Sequence, residues 1–153
     1  MKMHIRRAVE SDAEILTKIA FESKQNWSYP EYWMEAMKKD LTIDKNFINE
    51  NDVFLAESSN NAIGFYGITL SKNQCELEHL WVHPDFIKKK IGTILFKHAV
   101  DRIRNMGYES FEIISDPNAE EFYLKMGAKR NGEHRYTLLK NVRILPKLEY
   151  STG

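Results

Sequence analysis

Two carboxylates and one basic loop carry the chemistry that this sequence offers. Glu76 and Glu78 stand two residues apart in the strand-like run Cys75-Glu76-Leu77-Glu78-His79-Leu80-Trp81-Val82. Strand side chains return to the same face every second residue, so both carboxylates are expected to project together. Neighbouring like charges raise each other's pKa, which makes one of them a better proton acceptor at neutral pH. A solvated or amine-attracting cleft without proton transfer is the plainer reading. The same periodicity sends His79 to the opposite face, as a packing residue. Downstream, His83-Pro84-Asp85-Phe86 breaks the strand, and Ile87-Lys88-Lys89-Lys90-Ile91-Gly92-Thr93 opens a helix. The unpaired amides of a helix's first turn and the positive end of its dipole attract anions. Lys88, Lys89 and Lys90 add full charges there. The loop is expected to grip a diphosphate; a solvated basic loop is the alternative.

The elements that position these groups follow from periodicity. Ile91, Ile94, Leu95, Ala99, Ile103 and Met106 form one apolar stripe, and Gly107 ends the helix. His98 and Arg102 interrupt that stripe and are expected at its edge, with their polar tips in water. Upstream, residues 3–8 read as a strand. A helix follows from the capping pattern Ser11-Asp12-Ala13-Glu14 to about Lys24. A second helix begins at Pro30 and runs to about Lys39. Residues 41–51 are irregular or a short helix. Strands 53–57, 62–70 and 75–82, separated by polar turns, form an antiparallel meander. Gly64 and Gly67 mark bends or close packing.

Strand 110–115 is reached from strand 75–82 through a helix, so that pair is parallel. Asp116 caps the next helix, Pro117 holds its first position and Gly127 ends it. Residues 128–130 and 135–139 read as a strand pair or a broken strand, and 143–145 as an edge. The fold class is α/β (α+β): a mixed central sheet with helices on both faces, in one domain over residues 1–150.

Composition limits the function classes. The chain has 153 residues, 22 basic and 22 acidic, for a formal net charge of +0. Bulk attraction to nucleic acid or to a membrane surface is not indicated. The single cysteine, Cys75, allows no internal disulfide and suits a reducing compartment as a packing residue. No apolar run is long enough to span a bilayer, and residues 1–7 enter a strand pattern directly, so a cytoplasmic protein is expected. The histidines show no metal-ligand spacing.

The stretch Leu80-Trp81-Val82-His83-Pro84-Asp85-Phe86, with the following loop and Ile91-Gly92, resembles motif A of the Gcn5-related N-acetyltransferases. Their usual loop reads Arg/Gln-x-x-Gly-x-Gly/Ala. Here Ile87 stands at the Arg/Gln position, Lys90 at the first glycine, and only Gly92 matches. Asp116-Pro117-Asn118-Ala119-Glu120-Glu121-Phe122-Tyr123-Leu124-Lys125-Met126-Gly127-Ala128 is similar to motif B, in which an Asn opens a helix and a Tyr follows five residues later. The two partial motifs stand in the family's order.

That resemblance implies acetyl-CoA as co-substrate and a splayed parallel pair at strands 75–82 and 110–115. The pantetheine arm would pair with the backbone of Leu80, Trp81 and Val82. The amides of Lys88, Lys89, Lys90, Ile91, Gly92 and Thr93 would take the pyrophosphate, and Asn118 would bond the arm or merely satisfy the backbone. The amide of Trp81 or Val82 would face the oxyanion. Glu76 falls where several relatives carry a catalytic Glu, with Glu78 as second choice, and Tyr123 would protonate the departing thiolate. Trp27, Tyr29, Tyr32 and Trp33, in the first helix pair, would line the acceptor pocket or join that pair to the sheet. The implied acceptor is a primary amine of a small molecule or peptide. The rival readings are a CoA or acyl-CoA-binding module with weak or lost transfer, and a nucleic-acid contact through the lysines, against which the zero net charge argues. A homodimer is left open, with the apolar tail 143–150 as its surface.

Overall fold

The computed structural model describes residues 2–153. The chain begins with β1 (His4–Arg7), then α1 (Ala13–Gln25), α2 (Glu31–Met37) and α3 (Lys45–Glu50). Three strands follow: β2 (Asp52–Ser58), β3 (Asn61–Ser71) and β4 (Gln74–Val82). Next come α4 (Ile91–Asn105), β5 (Ser110–Ile114) and α5 (Glu120–Lys125), and then the hairpin β6 (Lys129–Leu138) and β7 (Asn141–Ser151). Among the described residues, seven strands form one sheet in the order β1-β2-β3-β4-β5-β7-β6. Every neighbouring pair is antiparallel except β4 and β5, which are parallel.

Each face of the sheet carries its own core. On one face α4 buries Ile91, Leu95, Phe96, Ala99 and Ile103 against Tyr66, Ile68, Cys75, Leu77 and Phe111. Each of these larger apolar side chains contributes about 1.5–3 kcal/mol when fully buried. On the other face Leu16 and Ile19 of α1 and Met34 and Met37 of α2 pack with Val53, Leu55 and Phe65. His98 and Arg102 do not simply reach into water. His98 Nδ1 lies 2.7 Å from the Tyr66 hydroxyl, and Arg102 Nε donates to Asp52 at 2.6 Å, so both tie α4 to the meander.

Two departures from regular pairing shape the centre of the sheet. The ladder between β4 and β5 has Glu76 opposite Glu112 as its one in-register pair among the described residues. Beyond it β5 continues with β7, from Ser110 opposite Ser151 to Ile114 opposite Lys147. The β5-facing backbone of Leu80, Trp81 and Val82 is therefore left free. The second departure is a bulge: Gly67 faces His79 and Ile68 faces Leu77, so Glu78 has no opposing residue. Gly67 sits in a tight space there, since a Cβ on it would come within 3.1 Å of the Phe47 ring and push it aside.

The C-terminal part is more regular than its sequence suggests. In place of broken strands and an edge, β6 and β7 pair from Leu138–Asn141 to Lys129–Glu149 with one register shift. The helix expected from Asp116 starts later, at Glu120, after a turn in which the Ala119 N–H donates to the Asp116 carbonyl at 2.9 Å.

Candidate active site

The loop after β4 is built by local hydrogen bonds. His83 Nδ1 accepts from the Asp85 amide at 3.1 Å, and Pro84–Lys89 form a 3₁₀ turn. Lys90 then takes a left-handed conformation, with φ 63° and ψ 16°. Glycine adopts that conformation freely, whereas a lysine pays for it, by about 1–2 kcal/mol. The first α-helical hydrogen bond of α4 runs from the Ile94 amide to the Lys90 carbonyl at 3.1 Å. The amides of Ile91, Gly92 and Thr93 precede it and face outward. Lys88, Lys89 and Lys90 are exposed, and Lys88 and Lys90 line the mouth.

That mouth opens into a cleft of about 610 Å³ between Leu80–Val82 of β4, the start of α4, and Phe122 and Tyr123 of α5. Gly92 lies in its wall between two side chains: a Cβ there would be 3.6 Å from the Phe122 ring and 3.7 Å from Val82. Tyr123 is buried, lines the cleft, and makes no side-chain hydrogen bond among the described residues. Burial, and secondarily the charge of Asp116, push its pKa far above the ordinary phenol value, so it stays protonated. An amide-rich helix start, a strand with free backbone groups and a narrow apolar floor fit a molecule with a diphosphate at one end and an amide-bearing arm at the other, as coenzyme A has.

A second cleft of about 630 Å³ lies on the other face of the sheet. It is lined by Glu76, Glu78 and His79 of β4, by Tyr136 and Leu145 of the hairpin, and by Lys24 and Asp116. The bulge at Glu78 shifts the alternation of β4 by one residue. His79 therefore shares the face of Glu76, contrary to simple alternation, and packs against Phe47 and Phe65. Its Nδ1 accepts from Trp81 Nε1 at 3.0 Å, and its Nε2 lies 3.4 Å from Glu78 Oε2. Burial, with added repulsion from Glu78 and Glu112, pushes the Glu76 carboxyl up to about 7. Cys75, on the opposite face, is pushed up to about 11 by burial and is a packing thiol.

Among the described residues, Trp81 is the one that lines both clefts. The clefts therefore back onto each other across β4, at the point where β5 has diverged. At that junction sits a buried polar cluster that sequence reasoning did not find. Asp116 Oδ2 accepts from Lys24 Nζ at 2.7 Å, from the Tyr29 hydroxyl at 2.8 Å and from Arg143 at 3.4 Å. Oδ1 accepts from the Asn118 amide at 2.8 Å and from its Nδ2 at 2.9 Å. Burial works against the carboxylate, but the Lys24 ammonium and these donors outweigh it and hold Asp116 below the ordinary range. No local pattern announces the pairing, since Lys24 and Asp116 are 92 residues apart.

The other expected site residues are distributed unevenly. Leu80, Trp81, Val82, Lys88, Lys90, Gly92, Thr93, Asn118 and Tyr123 line the first cleft, and Glu76 and Glu78 the second. Lys89 lies beside the mouth, and the Ile91 side chain is buried in the core. Of the four aromatic residues, Trp27 lines the first cleft and stands 6.0 Å from Trp81. Tyr29 and Trp33 stack on each other at 5.8 Å under Arg143, outside both linings, and Tyr32 is 65% exposed.

Solved structures of low sequence identity share this fold. A GCN5-related N-acetyltransferase from Rhodopseudomonas palustris superposes with a TM-score of 0.83 at 20% identity, over 99% of this chain and 98% of that one. The PaiA N-acetyltransferase of Thermoplasma acidophilum, solved in complex with coenzyme A, gives 0.82 at 23% identity over 99% of both chains. The ribosomal-protein-S18-alanine N-acetyltransferase of Escherichia coli gives 0.73 at 13% identity, over 99% of this chain and 95% of that one. Comparison with curated proteins finds no match. Residues 17–128, which run from α1 past the loop and α4 to the end of the α5 turn, match the model of the acetyltransferase (GNAT) family. The chain therefore belongs to the GNAT acetyltransferases, with acetyl-CoA as its acyl donor.

Proposed function

We propose that this protein is an N-acetyltransferase that moves the acetyl group of acetyl-CoA to a primary amine of a small molecule or peptide by direct attack. The observation that carries this reading is the pair of clefts that share Trp81 across the splayed strands. One is suited to the donor and the other, lined by carboxylates, to the amine. Both substrates then meet without an intervening enzyme-bound acyl group.

Each task in that reaction has a residue. The amides of Lys88 through Thr93 hold the diphosphate, and the free backbone of Leu80, Trp81 and Val82 holds the amide-bearing arm. The Asn118 Nδ2 is committed to Asp116 and to the Tyr29 hydroxyl at 3.2 Å, which leaves its Oδ1 as an acceptor for that arm. Glu76, poised near 7, accepts a proton from the incoming ammonium, directly or through water, with Glu78 as the alternative acceptor. The neutral nitrogen forms the new C–N bond as the thioester C–S bond breaks. The amide of Trp81 or Val82 faces the oxygen on which charge develops. The Tyr123 phenol gives its proton to the departing sulfur and regains one, through water, from the nitrogen, which sheds its second proton once the C–N bond has formed; the proton held by Glu76 returns to solvent.

The test is thermal melting with acetyl-CoA, followed by transfer assays over a panel of primary amines. At about 100 times its dissociation constant the donor adds about 2.7 kcal/mol of stability. A melting curve indifferent to acetyl-CoA defeats the assignment of the first cleft. Binding without transfer to any amine leaves a CoA-binding module instead.

A further inference from the structure

The structure assigns Asp116 a positioning role: its five-donor carboxylate fixes the width of the opening through which the two substrates meet. This rests on the acyl-transfer reading above. Asp116 stands two residues beyond the end of β5, the strand that diverges from β4. Its donors come from α1 (Lys24), the α1–α2 connection (Tyr29), β7 (Arg143) and the turn before α5 (Asn118). Asp116 itself lines the second cleft, whereas Asn118, two residues on, lines the first. One side chain therefore clamps a wall of the amine cleft to the turn that carries a wall of the donor cleft.

The clamp is buried on both sides of its ion pair. The side chains of Lys24 and Asp116 are 10% and 4% exposed. A buried carboxylate with all its lone pairs taken has little freedom to shift, and removing one partner leaves the others uncompensated. None of the proton transfers above uses Lys24, Tyr29 or Arg143. Their convergence on one buried carboxylate at the junction is accounted for by geometry, since a misplacement of about 1 Å at a reacting centre costs about 100-fold in rate.

The experiment compares Lys24→Met, Lys24→Arg and Tyr29→Phe with the unaltered chain. The readouts are the dissociation constant for CoA, kcat, KM for the amine, and melting temperature. Tyr29→Phe removes a single hydroxyl and leaves the Lys24–Asp116 ion pair in place, so it supplies the milder variant where Lys24→Met is too unstable to assay. The expected result is a kcat about 10-fold or more lower in Lys24→Met and Tyr29→Phe, CoA binding weaker by about 3-fold or more, and recovery of both in Lys24→Arg, which keeps the cation. The proposal is overturned if Tyr29→Phe and Lys24→Met keep the original CoA affinity and kcat and lose only melting temperature, or if Lys24→Arg is as impaired as Lys24→Met. A chain that binds CoA but transfers to no amine sinks the acyl-transfer reading alone, because the CoA arm still decides the role of Asp116.

Discussion

Replacing Glu76 by Gln is expected to abolish most activity while stabilising the protein at alkaline pH. Glu76 is pushed from an ordinary 4.5 to about 7, first by burial and then by Glu78 and Glu112. A carboxyl with a raised folded-state pKa favours the folded state while it is protonated. That contribution is complete below the unfolded value, and it is lost as pH rises through the folded value. The window therefore runs from about pH 4.5 to pH 7. Its full size is about 3 kcal/mol at about 1.4 kcal/mol per pH unit, and solvent screening of a partly open side chain trims it to about 2 kcal/mol. A glutamine at this position is neutral at every pH and escapes this loss. The Glu76→Gln variant should melt roughly 4–8 °C above the unaltered chain at pH 8, and within about 1–2 °C of it at pH 4.5, where both side chains are mainly neutral in the fold. Its kcat should fall by about 100-fold or more. Calorimetry at the two pH values and a CoA-release assay supply both halves. A Glu76→Gln variant destabilised at pH 8, or one with nearly full turnover, would falsify the assignment of Glu76 as a strained base.

The remaining predictions concern the first cleft. Tyr123→Phe should lower kcat by about 10-fold to 100-fold, with melting temperature and CoA affinity almost unchanged, because the hydroxyl has no protein partner to lose; a fully active variant removes Tyr123 as the acid. Lys90→Gly should stabilise the protein by about 0.5 kcal/mol, the relief of a left-handed lysine less the extra unfolded-state entropy of glycine, and a lower denaturation midpoint contradicts the positive φ. Gly92→Leu should place an isobutyl group into the first cleft beside Phe122 and Val82, so that acetyl-CoA no longer raises the melting temperature; retention of the full shift moves the donor elsewhere.

Much of the fold was legible because its determinants are local or topological. The stripe on α4 and the return to a parallel strand follow from helical spacing and from the crossover itself. The β6–β7 hairpin was not legible. Its turn is made by Leu139 and Lys140, both with positive φ (52° and 68°), where a reader expects Asn-Gly or Asp-Gly. Pro146 also stands within β7, where a missing N–H argues against a strand. The Lys24–Asp116 pair was hidden for a different reason. A lysine at a helix C-terminus and an aspartate before a proline each have an adequate local role, capping and dipole compensation, and only the folded chain brings them to 2.7 Å.

The bulge on β4 shows how one unopposed residue sets the composition of the site. With strict alternation, Glu76, Glu78, Leu80 and Val82 would share a face, and His79 and Trp81 would lie on the other. The second cleft would then lose both His79 and Trp81, and Leu80 and Val82 would leave the first. Leaving Glu78 unopposed keeps Cys75, Leu77, Leu80 and Val82 with the α4 core, and puts Glu76, His79 and Trp81 together on the α1 side. The Trp81–His79–Glu78 chain, held by contacts of 3.0 Å and 3.4 Å, spans this irregularity and orients its side chains. The opposing position is tight as well, since a Cβ on Gly67 would come within 3.1 Å of the Phe47 ring and push it aside. The carboxylate that titrates near neutral pH and the indole between the two clefts thus owe their common face to a register shift opposite a glycine. Alternation in the sequence gives the correct face for residues before the shift and the wrong one for those after it.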